Sequence, residues 1–361
     1  MILSEKSKQH IDSCRFCWMC HHICPIGNAT GLERNTARAR ALGLSLVNRD
    51  AIKLSECIDN VYECATCGAC HHDCTTGWDP VMFTKEVRLQ AALDGELPEY
   101  IQKLVMNCLE TGNAYGKTEI SEELTTKIKE HSAKTNTLLV LGADARYMAP
   151  CQAVKAIKVL EKANVEFTVA LDEKATGAQL DFLIGAANEA KVQMAEAAKV
   201  YNEYETVIVY DPADAVVIKR IYNENGVEVT AKVSTYTAYL DALLAAGKLT
   251  AENKGKTVVF QDPFQLARDL EETEEARRVI MSYADLTEML LNRGETVWAG
   301  NILMAQYIPD VMKKVAERRL YNVTSIGQNT IVTACVSEYV SLKNVEQNEV
   351  EILSIEDLIL A

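Results

Sequence analysis

The pattern of apolar and polar residues changes near residue 136. From there to the C-terminus, short apolar runs alternate with longer segments in which apolar residues recur every three or four positions. This alternation predicts parallel sheets whose strands are covered by amphipathic helices. The predicted strands are 138–141, 166–171, 206–210, 257–260, 296–298 and 330–333.

Several helices are predicted between these strands. In 150–163, Ala153, Ile157 and Leu160 fall on one face, and about 303–320 carries a similar apolar stripe. The segment from Ser282 to Asp285 has the pattern of a capping box, which predicts that another helix begins there. We interpret the apolar stripes as core positions.

The chain before residue 136 has a helical pattern without strands. After Pro80, the segments 83–95, 98–111 and 120–132 are rich in Glu, Lys, Leu and Ala, and glycines separate the last two. The sequence therefore predicts an α-helical first domain over 1–97 and a helical connector over 98–135. An α/β domain made of two similar halves, 136–246 and 247–361, is predicted to follow.

Charge and hydropathy narrow the range of functions. Asp and Glu outnumber Lys and Arg by 51 to 37, which gives a net charge of −14. Such an acidic surface repels phosphate backbones and argues against nucleic-acid binding. No apolar run reaches the roughly 18 residues that span a bilayer, and the N-terminus lacks the features of a secretory signal. We therefore expect a cytoplasmic protein, whose association with a membrane would be peripheral and through a partner.

The cysteines are concentrated near the N-terminus. Nine of the twelve lie between Cys14 and Cys74. In the cytoplasm, thiols stay reduced, so a disulfide framework is not expected. Four of the nine follow the spacing C-x2-C-x2-C-x3-C-P, and four more repeat that spacing 50 positions later without the proline. The two runs are Cys14, Cys17, Cys20 and Cys24, and then Cys64, Cys67, Cys70 and Cys74.

This spacing is typical of [4Fe–4S] ligation. Three cysteines at x2 intervals let one turn of chain wrap a cluster face, while backbone N–H groups remain free to bond the sulfurs. The fourth cysteine of each run ligates the other cluster in two-cluster ferredoxins. We therefore predict two [4Fe–4S] clusters. The first is held by Cys14, Cys17, Cys20 and Cys74, and the second by Cys64, Cys67, Cys70 and Cys24.

Other interpretations of these residues fit less well. Structural zinc normally uses two separated C-x2-C pairs rather than three cysteines at consecutive x2 intervals. The histidine pairs His21–His22 and His71–His72 could move protons, but we expect them to flank the clusters and tune them through hydrogen bonds. Cys57 lies outside the pattern and is expected to be a small buried apolar residue.

Motifs for nucleotides and for covalent catalysis are missing. The chain has no G-x-G-x-x-G, and the segment 112–118 is one residue short of a P-loop and follows a helix instead of a strand. No nucleophile–base pair or substrate site is visible in the sequence.

The cysteine region resembles a known family. Its two runs, followed by Thr-Gly-Trp-Asp-Pro at 76–80, are similar to the iron–sulfur subunits of anaerobic glycerol-3-phosphate dehydrogenase, glycolate oxidase and heterodisulfide reductase. In that family a two-cluster ferredoxin domain precedes two "CCG" domains. The segments 140–150, 159–165, 256–268, 315–320 and 331–335 are similar to the CCG pair. One departure is that Thr75 replaces the proline expected after Cys74.

The cysteines of the CCG domains are largely absent here. The corresponding positions are Gly142-Ala143, Ala175-Thr176-Gly177, Ala213 or Asp214, Asp262-Pro263-Phe264, Trp298-Ala299-Gly300 and Glu338, and only Cys335 survives. One thiolate and one carboxylate cannot hold an iron–sulfur cluster. We infer that this domain is a scaffold and docking surface, and we leave open a single metal at Cys335 and Glu338.

The resemblance implies an electron-transfer subunit that is not itself catalytic and works under anaerobic conditions. Its partner would be a FAD-containing oxidase or dehydrogenase of hydroxy acids or polyols. Single electrons would pass to a downstream carrier, because flavins accept electrons in pairs and clusters move them singly. The alternatives are a heterodisulfide-reductase-like catalytic subunit and an iron–sulfur redox sensor, although no DNA-binding motif supports a sensor.

Overall fold

A computed structural model describes residues 3–15, 17–346 and 349–361. In its described residues, the chain before residue 136 contains helices and no strand. The helices are α1 (Glu5–Asp12), α2 (Met19–Ile23), α3 (Pro25–Thr30), α4 (Ala37–Asn48), α5 (Ile58–Tyr62), α6 (Ala69–His72), α7 (Pro80–Leu93), α8 (Glu99–Thr111) and α9 (Glu122–Glu130).

Side-chain caps fix where several of these helices begin. The side chains of Ser4, Thr36 and Ser121 each accept a hydrogen bond from a backbone N–H in the first turn of α1, α4 and α9. Asp79 caps α7 in the same way, and Pro80 occupies the first helical position. Such caps satisfy N–H groups that have no partner within the helix. Helix α7 therefore begins three residues before the predicted segment 83–95.

Two four-stranded parallel sheets follow, and they have the same topology. The first has the order β2-β1-β3-β4 and the second the order β6-β5-β7-β8. The strands are β1 (Thr137–Val140), β2 (Thr168–Val169), β3 (Thr206–Val209), β4 (Lys232–Thr235), β5 (Thr257–Gln261), β6 (Asp285–Thr287), β7 (Thr330–Thr333) and β8 (Glu351–Ser354). The predicted α/β architecture of two similar halves with parallel sheets is therefore confirmed.

Helices cover both sheets. Around the first sheet lie α10 (Pro150–Lys162), α11 (Ala178–Ile184), α12 (Asn188–Tyr201), α13 (Pro212–Val216), α14 (Tyr222–Glu224) and α15 (Tyr236–Ala245). Around the second lie α16 (Glu275–Met281), α17 (Ile302–Ala305), α18 (Pro309–Ser325), α19 (Val336–Lys343) and α20 (Ile355–Leu360). In each half a single π-helical turn follows the first strand closely, at Asp144–Met148 and Gln265–Asp269.

The structure corrects several of the predicted elements. Segment 296–298 is not a strand, and β4, β6 and β8 were not predicted. The segment from Ser282 to Asp285 does not cap a helix, because Asp285 begins β6, which pairs with β5. The predicted helix 303–320 is two helices, since α17 ends at Ala305 and α18 begins at Pro309. Parallel pairing with distant strands decided these short segments, and local periodicity does not record that pairing.

The N-terminal helices share a hydrophobic core with the first sheet. Buried Leu44 and Phe83 belong to the same cluster of side chains as Val140 and Leu180. The second half shares another cluster with the first, in which Leu139 and Ile208 are buried together with Val258 and Phe260. A further cluster belongs to the second half alone. In the described part of the chain, no helix combines the length and apolar character that a membrane span requires.

Candidate metal centre

The two cysteine runs adopt the same local conformation. Trp18 and Gly68 occupy equivalent positions between the second and third cysteines, and both have left-handed backbones, with φ of 71° and 72°. Each immediately precedes a short helix, α2 or α6, which carries Cys20 or Cys70, and these two helices pack together. A left-handed residue is easy for glycine but strained for tryptophan. The guanidinium of Arg38 lies 3.7 Å from the Trp18 ring centroid and holds that ring in place.

The eight cysteines line two neighbouring cavities. The first is lined by Cys14, Cys17, Cys20, Cys70 and Cys74. The second is lined by Cys24, Cys64, Cys67 and Cys70. Each cavity thus contains all four cysteines of one predicted ligand set, including the fourth cysteine from the other run, and Cys70 borders both. The assignment of ligands to clusters itself stays a prediction.

Backbone N–H groups point at several of these sulfurs. The amide of Gly27 donates to Sγ of Cys24 at 3.4 Å, and the amide of Thr66 donates to Sγ of Cys64 at 3.3 Å. Such bonds stabilise negative sulfur and tune cluster potentials. A set of four thiols with amides directed at them therefore suits an iron–sulfur cluster chemically.

The thiols interact electrostatically with one another. Burial, together with the neighbouring Cys67 and Cys64, raises the pKa of Cys24 to about 12, although the Gly27 amide and Arg40 act against that increase. Burial, followed by the thiolates of Cys67, Cys64, Cys24 and Cys20, raises the pKa of Cys70 well above its usual value. Thiols crowded in this way can all ionise only if a positive charge lies nearby. Bound iron would supply that charge.

Cys74 differs from these thiols. Burial alone would raise its pKa, but hydrogen bonds from the Thr76 hydroxyl and from the amides of Thr76 and Trp78 lower it below the usual value. Trp78 is itself held by its indole N–H, which donates to the carbonyl of His10 at 2.6 Å. The Thr-Gly-Trp-Asp-Pro segment therefore stabilises the Cys74 thiolate and caps α7 at the same time.

Two arginines that the sequence analysis did not identify hold the second cysteine loop. The Nη2 of Arg88 donates to the carbonyls of Val61 and Cys64, at 3.0 and 2.7 Å, and its Nη1 donates to the carbonyl of Phe182 at 2.7 Å. From the second α/β half, Nε of Arg268 donates to the carbonyl of Cys67 at 2.8 Å. Arg268 ends the segment 256–268, which is similar to the CCG pair, and Arg88 lies in a predicted helix, but no local pattern shows that either side chain contacts the second cysteine loop.

The histidine pairs lie beside the cavities and do not line them. Nδ1 of His71 is 3.1 Å from the carbonyl of Trp78, and Nε2 of His72 is 3.1 Å from Oε1 of Glu295. Asp73 joins His72 and Glu295 in the one group of three or more His, Cys, Asp or Glu ligand atoms close enough for a single ion that the described residues contain. His72 and Glu295 are exposed.

Cys57, Cys108 and Cys335 lie outside the two cavities. Cys57 is half-buried beside Gly43 and packs against the hydrophobic core, so the expectation of a small buried apolar residue is confirmed only in part. Cys335 is buried, and the Glu338 carboxyl near it already accepts hydrogen bonds from Gln261 Nε2 at 3.0 Å and from the Ala299 amide at 3.1 Å. The single metal left open at Cys335 and Glu338 receives no support from these contacts.

The remaining CCG positions are closely packed. Gly142 has a φ of 84°, and an added Cβ there would overlap Oδ2 of Asp214. In the second half, Asp262 forms a buried bidentate pair with Arg277, with N–O distances of 2.6 and 2.8 Å. Trp298 is buried as well. Packing and ion pairs thus occupy positions where the family resemblance would place cluster ligands.

The fold and the cysteine arrangement define a class of protein, in which two cysteine-lined cavities in a helical N-terminal part are joined to paired parallel α/β repeats. No family profile matches the chain. It is a distant homologue of one subunit of the dihydromethanophenazine:CoB–CoM heterodisulfide reductase of Methanosarcina acetivorans. The two chains are 24% identical over 369 residues, which cover 92% of this chain and 88% of the relative. This comparison confirms the resemblance to a heterodisulfide reductase subunit. The CCG domains and the two-cluster domain stay predictions.

Among solved structures, the chain is similar to glutamate racemase RacE1 from Bacillus anthracis. The TM-score is 0.30 and the sequence identity 17%, over 63% of this chain and 79% of the racemase. Nothing about the fold or activity of this chain follows from so small an overlap.

Proposed function

We propose that this chain is an electron-transfer subunit that holds two [4Fe–4S] clusters. It passes single electrons between a FAD-containing oxidoreductase partner and a downstream carrier. The observation that carries the proposal is the convergence of two cysteine runs on two adjoining cavities, each lined by three cysteines of one run and the last cysteine of the other. The distant relation to a heterodisulfide reductase subunit supports it, since that relative is by name one subunit of a redox enzyme.

The clusters would supply one-electron transfer, and the chain's residues set their surroundings. Cys14, Cys17, Cys20 and Cys74 would hold one cluster, and Cys64, Cys67, Cys70 and Cys24 the other. Because α2 packs on α6, the two ligand sets lie side by side. Arg88 and Arg268 hold the backbone of the second loop in a buried, positively charged setting.

The surface beside the first cavity suits a redox partner. Cys17 is exposed, and so are the neighbouring Trp18 and Met19. The second loop is more enclosed, because Cys67 is buried beneath Arg268. A partner that docks at Cys17 would approach the first cluster most closely. The domain limits that we propose are 1–97, 98–135, 136–246 and 247–361.

A second candidate is a catalytic subunit that reduces a disulfide, as the name of the Methanosarcina relative indicates. In the proteins that this chain resembles, the CCG cysteines support that chemistry. Here small residues, aromatic residues and an ion pair occupy those positions. Iron content separates the candidates, because two cubane clusters contain about eight irons and an additional catalytic cluster would raise that number.

The ligand sets can be tested in protein made without oxygen. We expect about eight irons per chain, falling to about four in the variants Cys20→Ala and Cys67→Ala, each of which should lose a different EPR signal. Cys70 borders both cavities, so Cys70→Ala tests to which cluster it belongs. Our assignment predicts that this variant loses the same signal as Cys67→Ala. The control is Cys57→Ala, which should keep both signals. Protein that contains only zinc, or full iron in the variants, would contradict the proposal.

The partner can be tested by anaerobic co-purification from the native host. We expect a flavoprotein to co-purify with the chain, and its flavin to reduce both clusters when its substrate is added. A purified chain without any flavoprotein, even after chemical crosslinking, would argue against the proposed complex.

A further inference from the structure

A large cavity lies between the three parts of the molecule. It encloses about 730 Å³, within the range of small-molecule sites. One wall comes from the second cysteine loop, at Ala65 and Thr66, and from Lys85 of α7. The exposed side chains of Lys6 and Glu224 stand at its mouth.

The position of this cavity follows from the sheet topology. In the order β2-β1-β3-β4, the chain leaves β1 towards one edge of the sheet and leaves β3 towards the other. The crevice beyond the carboxyl ends of two such strands is where open α/β sheets bind ligands. Asp144 follows β1, and Asp211 and Asp214 follow β3; all three line the cavity.

These three carboxyl groups are buried without a cation. Asp144, Asp211 and Asp214 are 8%, 4% and 7% exposed. Among the ion pairs of the described residues, none involves any of them. Asp144 accepts hydrogen bonds from the Tyr115 hydroxyl at 2.5 Å and from Gln179 at 3.1 Å. Asp211 accepts from the Ala213 amide at 2.8 Å, and Asp214 accepts from the Thr176 hydroxyl.

The raised pKa values of two of these carboxyl groups show that they have no positive counter-charge. Burial, together with Glu173 and Asp144, raises the pKa of Asp214 to about 7, although the hydrogen bond from the Thr176 hydroxyl acts against that increase. Burial, Asp144 and Asp214 together raise the pKa of Asp211 well above its usual value. A buried carboxyl group without a counter-charge keeps its proton, and a nearby cation would let it ionise.

A fourth polar group lines the cavity from the other half. Gln265, which begins the π-helical turn after β5, is 8% exposed, and its amide oxygen has no hydrogen-bond partner in the part of the chain described here. A buried acceptor without a partner is unfavourable. This oxygen has almost no surface open to the cavity, so it could accept a hydrogen bond from a ligand only after the Gln265 side chain turned.

The rest of the lining favours a positively charged ligand. Seven lining side chains carry carboxyl groups and three carry amino or guanidinium groups. One of those three, Lys85, is already paired with Asp181 at 2.6 Å. Aromatic rings of Phe264 and Trp298 also line the cavity, and such rings attract organic ammonium groups.

We propose that this cavity binds a small organic ammonium compound. Its charge lies against Asp144, Asp211 and Asp214, and its alkyl substituents contact Phe264 and Trp298. The α/β repeats are then a ligand-binding unit, and the bound molecule lies beside the second cysteine loop. This site does not require the electron-transfer function proposed above.

The test uses the full chain with its clusters intact, under anaerobic conditions. Tetramethylammonium, choline and ethanolamine are titrated by calorimetry, and 3,3-dimethyl-1-butanol serves as the uncharged match of choline. We expect at least one cation to bind, and choline to bind more tightly than its uncharged match. If none of the three cations binds at millimolar concentration, or if the uncharged match binds as well as choline, the proposal is overturned.

Variants locate the binding. Asp214→Asn should weaken cation binding about tenfold, since a charged hydrogen-bonding contact is lost. Gln265→Glu should strengthen it, because the substitution adds an acidic group to the cavity lining. The control Asp241→Asn removes a carboxylate that pairs with Arg278 outside the cavity, and it should change nothing. Equal affinities in all three variants would place the binding elsewhere and refute this site. Iron content and EPR signals report on the clusters separately, so either proposal can fail alone.

Discussion

Single side chains set the electrostatic surroundings of the second cysteine loop. The guanidinium of Arg268 donates to the carbonyl of Cys67, and its positive charge opposes the increase that burial causes in the pKa of the Cys67 thiol. The same charge would stabilise the more negative, reduced form of a cluster bound there.

Arg268→Met should therefore lower the midpoint potential of the cluster that is lost in Cys67→Ala, by roughly tens of millivolts. The other cluster should change much less, since the contact of Arg268 is with the second cysteine loop. Potentiometric titration followed by EPR measures both. The control Arg278→Met removes an exposed arginine of the same half. An unchanged or raised potential in Arg268→Met would contradict the expected electrostatic role.

Glu338 makes the stability of the second half depend on pH. Burial raises its pKa to about 8 from an ordinary value of 4.5, although the Ala299 amide, Arg319 and Gln261 act against that increase. The folded chain therefore holds this proton more tightly than the unfolded chain does. Its contribution to stability is full below about pH 4.5 and is lost as the pH rises to about 8.

Glu338→Gln should remove that loss, because an amide stays neutral and can keep the contacts with Gln261 and Ala299. We expect the melting temperature of the variant to fall less between pH 5.5 and pH 8.5 than that of the parent, with a free-energy difference of roughly a few kcal/mol at most. Circular dichroism melts measure it. Glu346→Gln, an exposed position beyond α19, is the control and should behave like the parent.

Short elements place the candidate ligands. Each cysteine run needs a left-handed residue before the helix that carries its third cysteine, and each α/β half needs tight turns after its strands. Gly142, two residues after the end of β1, has a left-handed backbone and no space for a side chain, because Asp214 and Asp211 lie against it.

Gly142→Ala should destabilise the fold by several kcal/mol, since backbone strain adds to an overlap with Asp214. Gly226→Ala is the matched control. Its φ of 72° carries similar strain, but no atom lies within 4 Å of the added Cβ, so about 1 kcal/mol is expected. Urea unfolding compares the two variants. Equal losses of stability would show that the close approach of Asp214 has no energetic effect.

At the scale of the whole molecule, the N-terminal helices and the first sheet form one body. Side chains from α4 and α7 are buried with Val140 and Leu180 in a common core. The Tyr62 hydroxyl donates to the carbonyl of Leu183 at 2.8 Å, and the Tyr307 hydroxyl donates to the carbonyl of Tyr62 at 3.0 Å. The cysteine region is thus packed against both α/β halves.

A fragment of residues 98–361 should therefore fail to fold cooperatively, because it exposes apolar surface that is buried in the full chain. We expect a broad thermal transition and strong binding of a hydrophobic dye. The full chain, measured in the same buffer, is the reference. A sharp transition at the reference temperature with no dye binding would show that the α/β repeats are independent of the cysteine region.

The sequence predicted the long helices and several of the buried strands. Long periodic segments such as 98–111 and 150–163 correspond to helices, and 330–333 matches β7. The strands β4 and β6 were missed because they are short and only partly buried, so they lack the apolar run that marks the fully buried β7. Their partners in the sheet determine them.

Some residues of the candidate site could be predicted from the sequence, and others could not. Cysteine spacing alone selected the eight residues that line the two cavities, because ligation geometry is written into short local intervals. Arg88 and Arg268, the cavity at the ends of β1 and β3, and its three carboxyl groups without cations could not be predicted. Each depends on residues far apart in the chain that only the packed sheets bring together.

By itself, the sequence determined which thiols are available, their spacing and the alternation that builds two parallel sheets, since these are local properties of the chain. The tertiary structure alone decided which carbonyls the buried arginines hold and which carboxyl groups share a cavity. Contacts of that kind arise when distant segments pack and exclude water, and no local pattern specifies them.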